Sequence, residues 1–198
     1  MKFRGQLQQD KWVLSLFPDG FQGFFLDVGM GDARHINNTY LLEQLGWRGI
    51  GIDPYPMNTD LRPNLIVEAV AVFSSTTTLD FVQAGHLGGA VDFIDRHADA
   101  IKFEPIVQVQ TTTLEAVLKK HNAPSTIDYM SLDTEGTEYE ILRAFPFNDY
   151  TFTCITVEHN QEHLKKQQLR TLLTSKGYVL AHEVQFDDWY IHGSSRST

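Results

Sequence analysis

The sequence contains a single cysteine and no long apolar run. Cys154 lies inside the apolar segment FTCITV, where a thiol is expected to be a small buried core residue rather than a nucleophile. No segment approaches the roughly 20 consecutive apolar residues of a membrane-spanning helix, and the first residues lack the apolar stretch of a signal peptide. From these absences we expect a cytoplasmic protein without a membrane span.

Clusters of basic residues are equally scarce. The chain has 16 Lys and Arg against 25 Asp and Glu, which gives a formal net charge of −9. The adjacent basic pairs are Lys119-Lys120 and Lys165-Lys166, and neither extends into a stripe that could follow a phosphate backbone. Nucleic acid is therefore not expected as a substrate or partner.

Short apolar runs alternate with helical patterns along the chain. Five runs are nearly continuously apolar, which is typical of strands buried on both faces of a sheet, and two further runs near the C-terminus have the spacing of an antiparallel hairpin at the sheet edge. Their alternation with amphipathic segments predicts one doubly wound α/β domain over residues 1–198, with a mostly parallel seven-stranded sheet and an antiparallel C-terminal hairpin. The predicted strands are 24–28, 49–53, 65–73, 127–132, 152–157, 178–184 and 189–192, and the predicted helices are 36–45, 114–118, 139–144 and 164–173.

One stretch departs from this alternation. Residues 74–82 alternate like a β-hairpin, and residues 83–100 contain Gly85, Gly88 and Gly89 before a mixed polar segment. We interpret residues 74–104 as an insertion that either closes over a substrate as a lid or forms a solvated surface loop. The polar residues that a lid would carry are His86, Arg96, His97 and Asp99.

A glycine turn follows the first predicted strand. Gly29 and Gly31 would let the backbone approach a nucleotide closely, but Arg34 occupies the position of the third glycine of a dinucleotide fingerprint. The pattern therefore disfavours NAD. S-adenosylmethionine has no phosphate, so the turn need only admit its methionine part, and Asp27 could face its ammonium group.

A carboxylate ends the second predicted strand. Asp53 comes 24 residues after Gly29, near the spacing of about 20 at which an acid binds ribose hydroxyls, and Pro54 would stiffen its turn. The alternative without a ligand is a tight strand-to-helix turn with Asp53 as a capping or turn residue.

Several of these segments together resemble the FkbM-type methyltransferases. They are QDKWV (9–13), FFLDVG (24–29), NTYLLE (38–43), GWRGIGIDP (46–54) and, most specifically, IDYMSLDTEGTE (127–138), which is similar to the family's Ile-Asp…Asp-x-Glu-Gly-x-Glu block. Two positions depart from the family pattern, because MGDA (30–33) stands where Ala-Asn-Asp-Gly is more frequent and Asp53 replaces a common Glu. The resemblance implies a class I methyltransferase fold, S-adenosylmethionine as methyl donor, and transfer to an oxygen of a small-molecule, natural-product or glycan acceptor.

Acidic residues and a histidine follow the fourth and fifth predicted strands, where an open parallel sheet binds its ligands. An alcohol is a poor nucleophile near neutral pH, so a general base must take its proton or a divalent cation must lower its pKa. We predict His159 as the base, with Asp133 and Glu135 as further catalytic residues and Asp133 also near the cofactor. A divalent cation, if used, would be held by Asp133, Glu158 and His159. The alternative for Asp133, Glu135 and Glu138 is capping of the next helix.

Two other functions fit parts of the sequence. Residues 159–163 spell H-x-x-E-H, a zinc-hydrolase pattern that requires His159 and His163 on one helical face, with Glu162 between them. These residues directly follow a predicted strand, which disfavours that pattern. The second alternative is a nucleoside-binding module that kept the glycine turn and lost catalysis.

Overall fold

The computed structural model describes residues 2–94 and 98–196, which form two sheets and six α-helices. The strands are β1 (Phe24–Val28), β2 (Arg48–Ile52), β3 (Leu65–Glu68), β4 (Ala71–Val72), β5 (Thr78–Val82), β6 (Ile106–Thr112), β7 (Thr126–Leu132), β8 (Thr151–Glu158), β9 (Tyr178–Val184) and β10 (Asp187–His192). The helices are α1 (Gln9–Ser15), α2 (Tyr40–Gln44), α3 (Ala98–Ile101), α4 (Leu114–Lys120), α5 (Glu138–Arg143) and α6 (His163–Ser175). Short 3₁₀ turns lie at Thr59–Leu61, Gly85–Leu87 and Gly193–Arg196.

The large sheet has seven strands in the order β3-β2-β1-β7-β8-β10-β9. Neighbouring strands are parallel except β10, which runs antiparallel to both β8 and β9. This arrangement confirms the predicted doubly wound α/β fold with its antiparallel C-terminal hairpin. The strand order reverses between β1 and β7, and ligands of such sheets bind at the carboxyl ends of the strands beside this switch point.

Both faces of the sheet are covered, as the apolar strands predict. Phe25 and Cys154 point to the face that packs Trp12 of α1 and Leu42 of α2. On the opposite face, alternate strand residues pack against α4, α5 and α6, including Leu118, Leu142 and Leu169. Cys154 is fully buried, in agreement with its expected place in the core. Burial of each large apolar side chain stabilises the fold by roughly 1.5–3 kcal/mol.

The small sheet corrects two strand predictions. The predicted strand 65–73 is two strands, because β3 ends at Glu68 and the chain turns there, with the Val70 N–H donating to the Glu68 carbonyl at 3.0 Å. Residues 74–82 do not form a local hairpin, since β5 pairs antiparallel with β6, a strand that was not predicted. The sequence IVQVQTT of β6 does alternate apolar and polar residues, which is the signal that identifies it.

Helix α2 is shorter than the predicted helix 36–45. It begins at Tyr40 because the Asn37 side chain accepts the N–H groups of Thr39 and Tyr40, at 3.0 and 2.8 Å, and so caps the helix there. The insertion contributes Gly85, Gly88 and their neighbours to the cavity described below. Arg96 and His97 lie outside the described residues, so the lid stays a prediction. None of the helices in the described ranges combines the length and apolarity needed to cross a bilayer.

Candidate active site

A cavity of about 470 Å³ opens at the carboxyl ends of β1, β2, β7 and β8. Its volume falls in the range of small-molecule sites, roughly 300–1,000 Å³. The glycine turn after β1 and the end of β2 form one side, the small sheet forms an apolar wall, and the ends of β7 and β8 form an acidic wall. The residues that represent these walls are Gly29, Gly31, Asp53, Pro54, Val70, Ala71, Leu79, Phe81, Val109, Asp133, Glu135, Glu158 and Asn160.

The glycine turn needs both of its glycines. Gly29 and Gly31 have φ values of 81° and 54°, which side chains rarely adopt. A Cβ at Gly29 would lie 1.5 Å from the Asp133 carbonyl oxygen, so glycine here lets the turn after β1 contact the turn after β7. A Cβ at Gly31 would meet no atom within 4 Å and would project into open space beside the cavity. The turn is therefore shaped as a cradle for a ligand.

Asp53 links the turn to the end of β2. Its carboxylate accepts the N–H groups of Gly31 at 2.8 Å and of Tyr55 at 2.7 Å. Burial raises the pKa of Asp53, and these two hydrogen bonds oppose the rise. Each carboxylate oxygen can accept more than one hydrogen bond, so Asp53 can still accept bonds from the hydroxyl groups of a ribose in the cavity.

The structure places Asp27 behind the glycine turn rather than on the cavity wall. Only 3 % of Asp27 is exposed, and its Oδ2 accepts hydrogen bonds from the Thr39 hydroxyl at 2.7 Å and the Asn37 amide at 2.9 Å. Burial raises the pKa of Asp27, while Thr39, Arg62 and Asn37 lower it. Asp27 thus holds the loop after β1 and is not among the residues that line the cavity.

Three carboxyl groups, those of Asp133, Glu135 and Glu158, line the acidic wall. Burial raises the pKa of both Asp133 and Glu158, and the charges of neighbouring acids raise them further. Because two negative charges this close repel each other, the pair binds a proton more tightly than an isolated carboxyl group does. The Asn160 amide fixes the wall, since its Nδ2 donates to Glu158 Oε2 at 2.7 Å and lies 3.4 Å from Glu135 Oε2.

The metal set predicted from the sequence is only partly assembled. One oxygen each of Asp133, Glu138 and Glu158 lie within 4.8 Å of one another, with Glu138 in the place predicted for His159. Glu138, however, already accepts the Lys165 ammonium at 3.1 Å and the backbone N–H groups of residues 134 and 136. Both of its oxygens are engaged and a cation is already present. These residues therefore fit a divalent cation poorly, and no step below uses one.

His159 lies outside the residues that line the cavity. Its ring is fully buried, with Nδ1 accepting the Gln161 N–H at 3.0 Å and Nε2 lying 3.6 Å from Asp188 Oδ1. Asp188 in turn accepts two hydrogen bonds from Arg170, both at 2.7 Å. The predicted base thus contacts the C-terminal hairpin, and its neighbours Glu158 and Asn160 reach the cavity instead.

The zinc-hydrolase pattern lacks the helical face that it requires. Helix α6 begins at His163, and the residues before it form a turn in which Asn160 and Gln161 have φ values of 51° and 62°. His159 is buried while His163 is exposed, so the two rings do not face a common metal. The structure contradicts this alternative.

Two kinds of site residue were missed by the sequence interpretation. Asn160 follows β8 at the same strand end as Glu158, and the strand-end rule would have found it. Arg62 and Glu43 form a buried ion pair beneath the glycine turn. No local pattern marks these two, because their partners are distant in the sequence.

Comparisons with known proteins bear on this site. The sequence model of the Methyltransferase FkbM domain matches residues 27–180, which include every cavity residue named above. No protein of curated function matches the chain. Among solved structures, a candidate RNA methyltransferase from Pyrococcus horikoshii is similar, with a TM-score of 0.45 and 10 % sequence identity over 94 % of this chain and 82 % of that chain. A likeness at this level indicates no shared substrate.

Proposed function

Since this chain belongs to the FkbM methyltransferase family, we propose that it transfers the methyl group of S-adenosylmethionine to a hydroxyl group of a sugar, glycan or natural-product acceptor. The observation that carries the proposal is the cavity at the switch point of the sheet, where the glycine turn, Asp53 and an acidic wall converge. Each of the three supplies a different part of the reaction.

The chain's residues fit the cofactor. The open space at Gly31 would admit the methionine part of S-adenosylmethionine, and Asp53 would accept hydrogen bonds from its ribose hydroxyls. Pro54 and Val70 supply apolar surface beside Asp53, and the Asp133 carboxyl group would be available to the cofactor's positive charge. When bound, S-adenosylmethionine supplies an electrophilic methyl group on a sulfonium that departs neutral, so the protein's task is to position and deprotonate the acceptor.

The acidic wall is suited to that task. We assign Glu135 as the general base that takes the proton of the acceptor hydroxyl, because it lines the cavity beside the Asn160 amide. The Asp133–Glu158 pair retains its own proton and holds the acceptor oxygen by hydrogen bonding. His159 supports this wall indirectly, because its backbone N–H donates to the Phe186 carbonyl at 2.8 Å and so joins the end of β8 to the hairpin.

The charges of the cavity indicate which acceptors it takes. Among the described lining residues there is no lysine or arginine, and the one histidine, His35, is paired with Asp32 at 3.1 Å. A phosphate or carboxylate group of an acceptor would face the acidic wall, and the described lining residues offer no lysine or arginine to pair with it. A neutral hydroxylated acceptor fits best, and a nucleic acid fits poorly.

Calorimetric titration of the purified protein tests the cofactor. We expect S-adenosylmethionine and its demethylated product to bind and NAD not to bind. Asp53→Ala should weaken binding by roughly 10- to 100-fold, the effect of losing hydrogen bonds to a charged acceptor. Asp60→Ala, at an exposed acid outside the cavity, is the matched control and should bind as the wild type does.

A turnover assay of the same purified proteins with a panel of hydroxylated sugars tests the methyl transfer itself. Glu135→Gln should retain cofactor binding and lower kcat by roughly 10²- to 10⁴-fold, the usual contribution of a general base. Absence of cofactor binding by the wild type would overturn the proposal. Binding without turnover of any acceptor would favour the non-catalytic module instead.

A further inference from the structure

An arginine is completely buried beneath the glycine turn. Arg62 is 1 % exposed, although it lies in a loop between the 3₁₀ turn Thr59–Leu61 and β3. Its Nε donates to Glu43, its Nη1 donates to the Ala33 carbonyl at 3.0 Å and to Asn37 Oδ1 at 3.1 Å, and its Nη2 donates to the Thr39 hydroxyl at 3.1 Å. A buried guanidinium is tolerated only when its donors are satisfied, and the planar guanidinium of Arg62 donates hydrogen bonds from all three of its nitrogens.

The acceptors of Arg62 bracket one segment of chain. Ala33 lies near the middle of the loop between β1 and α2, whereas Asn37 and Thr39 lie at its end. Asn37 and Thr39 also donate to Asp27, so the loop end is held between an arginine and an aspartate. The loop side chains that line the cavity do not take part in this network of hydrogen bonds between Arg62, Asn37, Thr39 and Asp27.

The loop that carries these anchors lines the proposed cofactor site. Asp32, His35 and Ile36 all contribute to the cavity wall. None of these three is an acceptor of the Arg62 guanidinium, whose hydrogen bonds go to Glu43, Ala33, Asn37 and Thr39. Ile36 is a β-branched residue with a φ of 51° and is 67 % exposed, so packing does not hold it in this unfavourable conformation. The residue next to it, Asn37, is the one that Arg62 and Asp27 hold.

We propose that Arg62, paired with Glu43, is a positioning residue that sets the loop 31–37 in the shape required to bind S-adenosylmethionine. The inference rests on the proposed function for the identity of the ligand. Arg62 does not line the cavity and acts through Ala33, Asn37 and Thr39. Glu43 fixes the arginine from the other side and also accepts the Asn64 N–H at 3.0 Å, which anchors the loop that carries Arg62.

The test uses a double variant that removes both partners of the ion pair, so that neither Arg62 nor Glu43 is left as an unpaired charge. Replacing both partners of a buried pair by apolar residues of similar volume is often neutral for stability, so R62M/E43M should fold. R62K keeps the charge but loses the planar fork. The matched control is R143M/E140M, which removes an ion pair from the surface of α5, remote in sequence from the loop.

Two readouts separate positioning from a general loss of structure. In R62M/E43M we expect the Kd and KM for S-adenosylmethionine to rise roughly tenfold or more, while kcat at saturation and the KM for the acceptor stay near wild type. Backbone amides of residues 32–37 should exchange faster with solvent in the ligand-free protein, with core amides unchanged. R62K should fall between the wild type and the double variant.

The two readouts also distinguish failure of this inference from failure of the proposed function. Wild-type protein that binds no S-adenosylmethionine would refute the proposed ligand, and exchange at residues 32–37 would then decide whether Arg62 positions the loop. A folded R62M/E43M with unchanged affinity and unchanged exchange would overturn the inference. If R62M/E43M does not fold, the same two measurements on R62K decide in the same way.

Discussion

Asp187, the first residue of β10, is a carboxyl group buried beside the acidic wall. It is 5 % exposed and accepts hydrogen bonds from the Gln9 amide at 2.9 Å and the Trp189 indole at 3.4 Å. Burial raises the pKa of Asp187 to about 6, against the lowering effect of these two donors. Gln9 of the Gln-Asp segment noted in the sequence therefore helps to hold this buried carboxyl group.

The raised pKa of Asp187 predicts a pH-dependent gain from its removal. Between pH 4 and 6 the folded protein binds a proton that the unfolded chain has released, so this contribution to stability falls as pH rises through that window. Above pH 6 the ionised, buried group costs its full penalty. Asp187→Asn should raise the free energy of unfolding by about 1–3 kcal/mol at pH 7.5 and change it little at pH 4. Urea unfolding at both pH values measures this.

Asp60→Asn, at an exposed acid, is the control for the loss of one negative charge and should show no such difference. An equal effect of Asp187→Asn at pH 4 and pH 7.5 would show that the buried carboxyl group does not carry the penalty.

Individual site residues could be predicted from the sequence only as far as their place at a strand end. Asp53, Asp133 and Glu135 follow strands and do line the cavity. His159 does not line the cavity, whereas Glu158 at the end of β8 and Asn160 in the left-handed turn that follows both do. The sequence pattern therefore predicts where a strand ends, but not which of two neighbouring side chains at that end faces the cavity.

At the scale of elements, Arg170 of α6 makes hydrogen bonds to both strands of the C-terminal hairpin. Arg170 donates to both oxygens of Asp188 at 2.7 Å and to Glu183 at 2.6 Å. Asp188 is completely buried in β10, and the Tyr190 hydroxyl donates to it at 3.0 Å. Burial opposes ionisation of Asp188, but the hydrogen bonds from the Arg170 guanidinium, together with the nearby His159 ring, hold its pKa well below the ordinary value.

Removing this arginine should loosen the hairpin from α6. Arg170→Met leaves a buried charge without its main partner, and we expect a loss of about 2–4 kcal/mol in the free energy of unfolding at neutral pH. Arg143→Met removes an exposed arginine from a surface pair and should cost less than about 1 kcal/mol. Chemical denaturation of the two variants side by side makes the comparison. Equal losses would mean that the Arg170–Asp188 pair acts as an ordinary surface ion pair.

Elements were predictable where their signal is local. The parallel strands of the large sheet carry continuous apolar runs, and their predicted bounds agree with the observed ones within one residue except at β3, where the prediction 65–73 runs on through β4. The small sheet was not found, because β5 pairs with β6 across an insertion of more than 20 residues and β4 has only two residues. Which strands pair across such a distance depends on tertiary packing that no short window of sequence contains.

At the scale of the whole molecule, the electrostatic field of the net charge acts on an acceptor before any direct contact is made. The net charge of −9 and the acidic wall of the cavity have the same sign, so the field of the protein and the local contacts disfavour the same ligands. The long-range part of this effect is screened by salt, with a Debye length of about 10 Å at 0.1 M ionic strength, whereas contacts inside the cavity are screened much less.

This difference predicts how acceptors should rank. Within a matched series of a neutral sugar, its uronic acid and the amide of that acid, kcat/KM should be roughly tenfold or more lower for the acid. The amide, which has the size of the acid without its charge, should behave like the neutral sugar. Raising the salt concentration from 0.05 to 0.5 M, values chosen to span the screening range, should narrow the gap without closing it. An acid that reacts as well as its amide at both salt concentrations would show that a cation outside the described lining residues reaches the acceptor, since acidic walls alone cannot favour an anion.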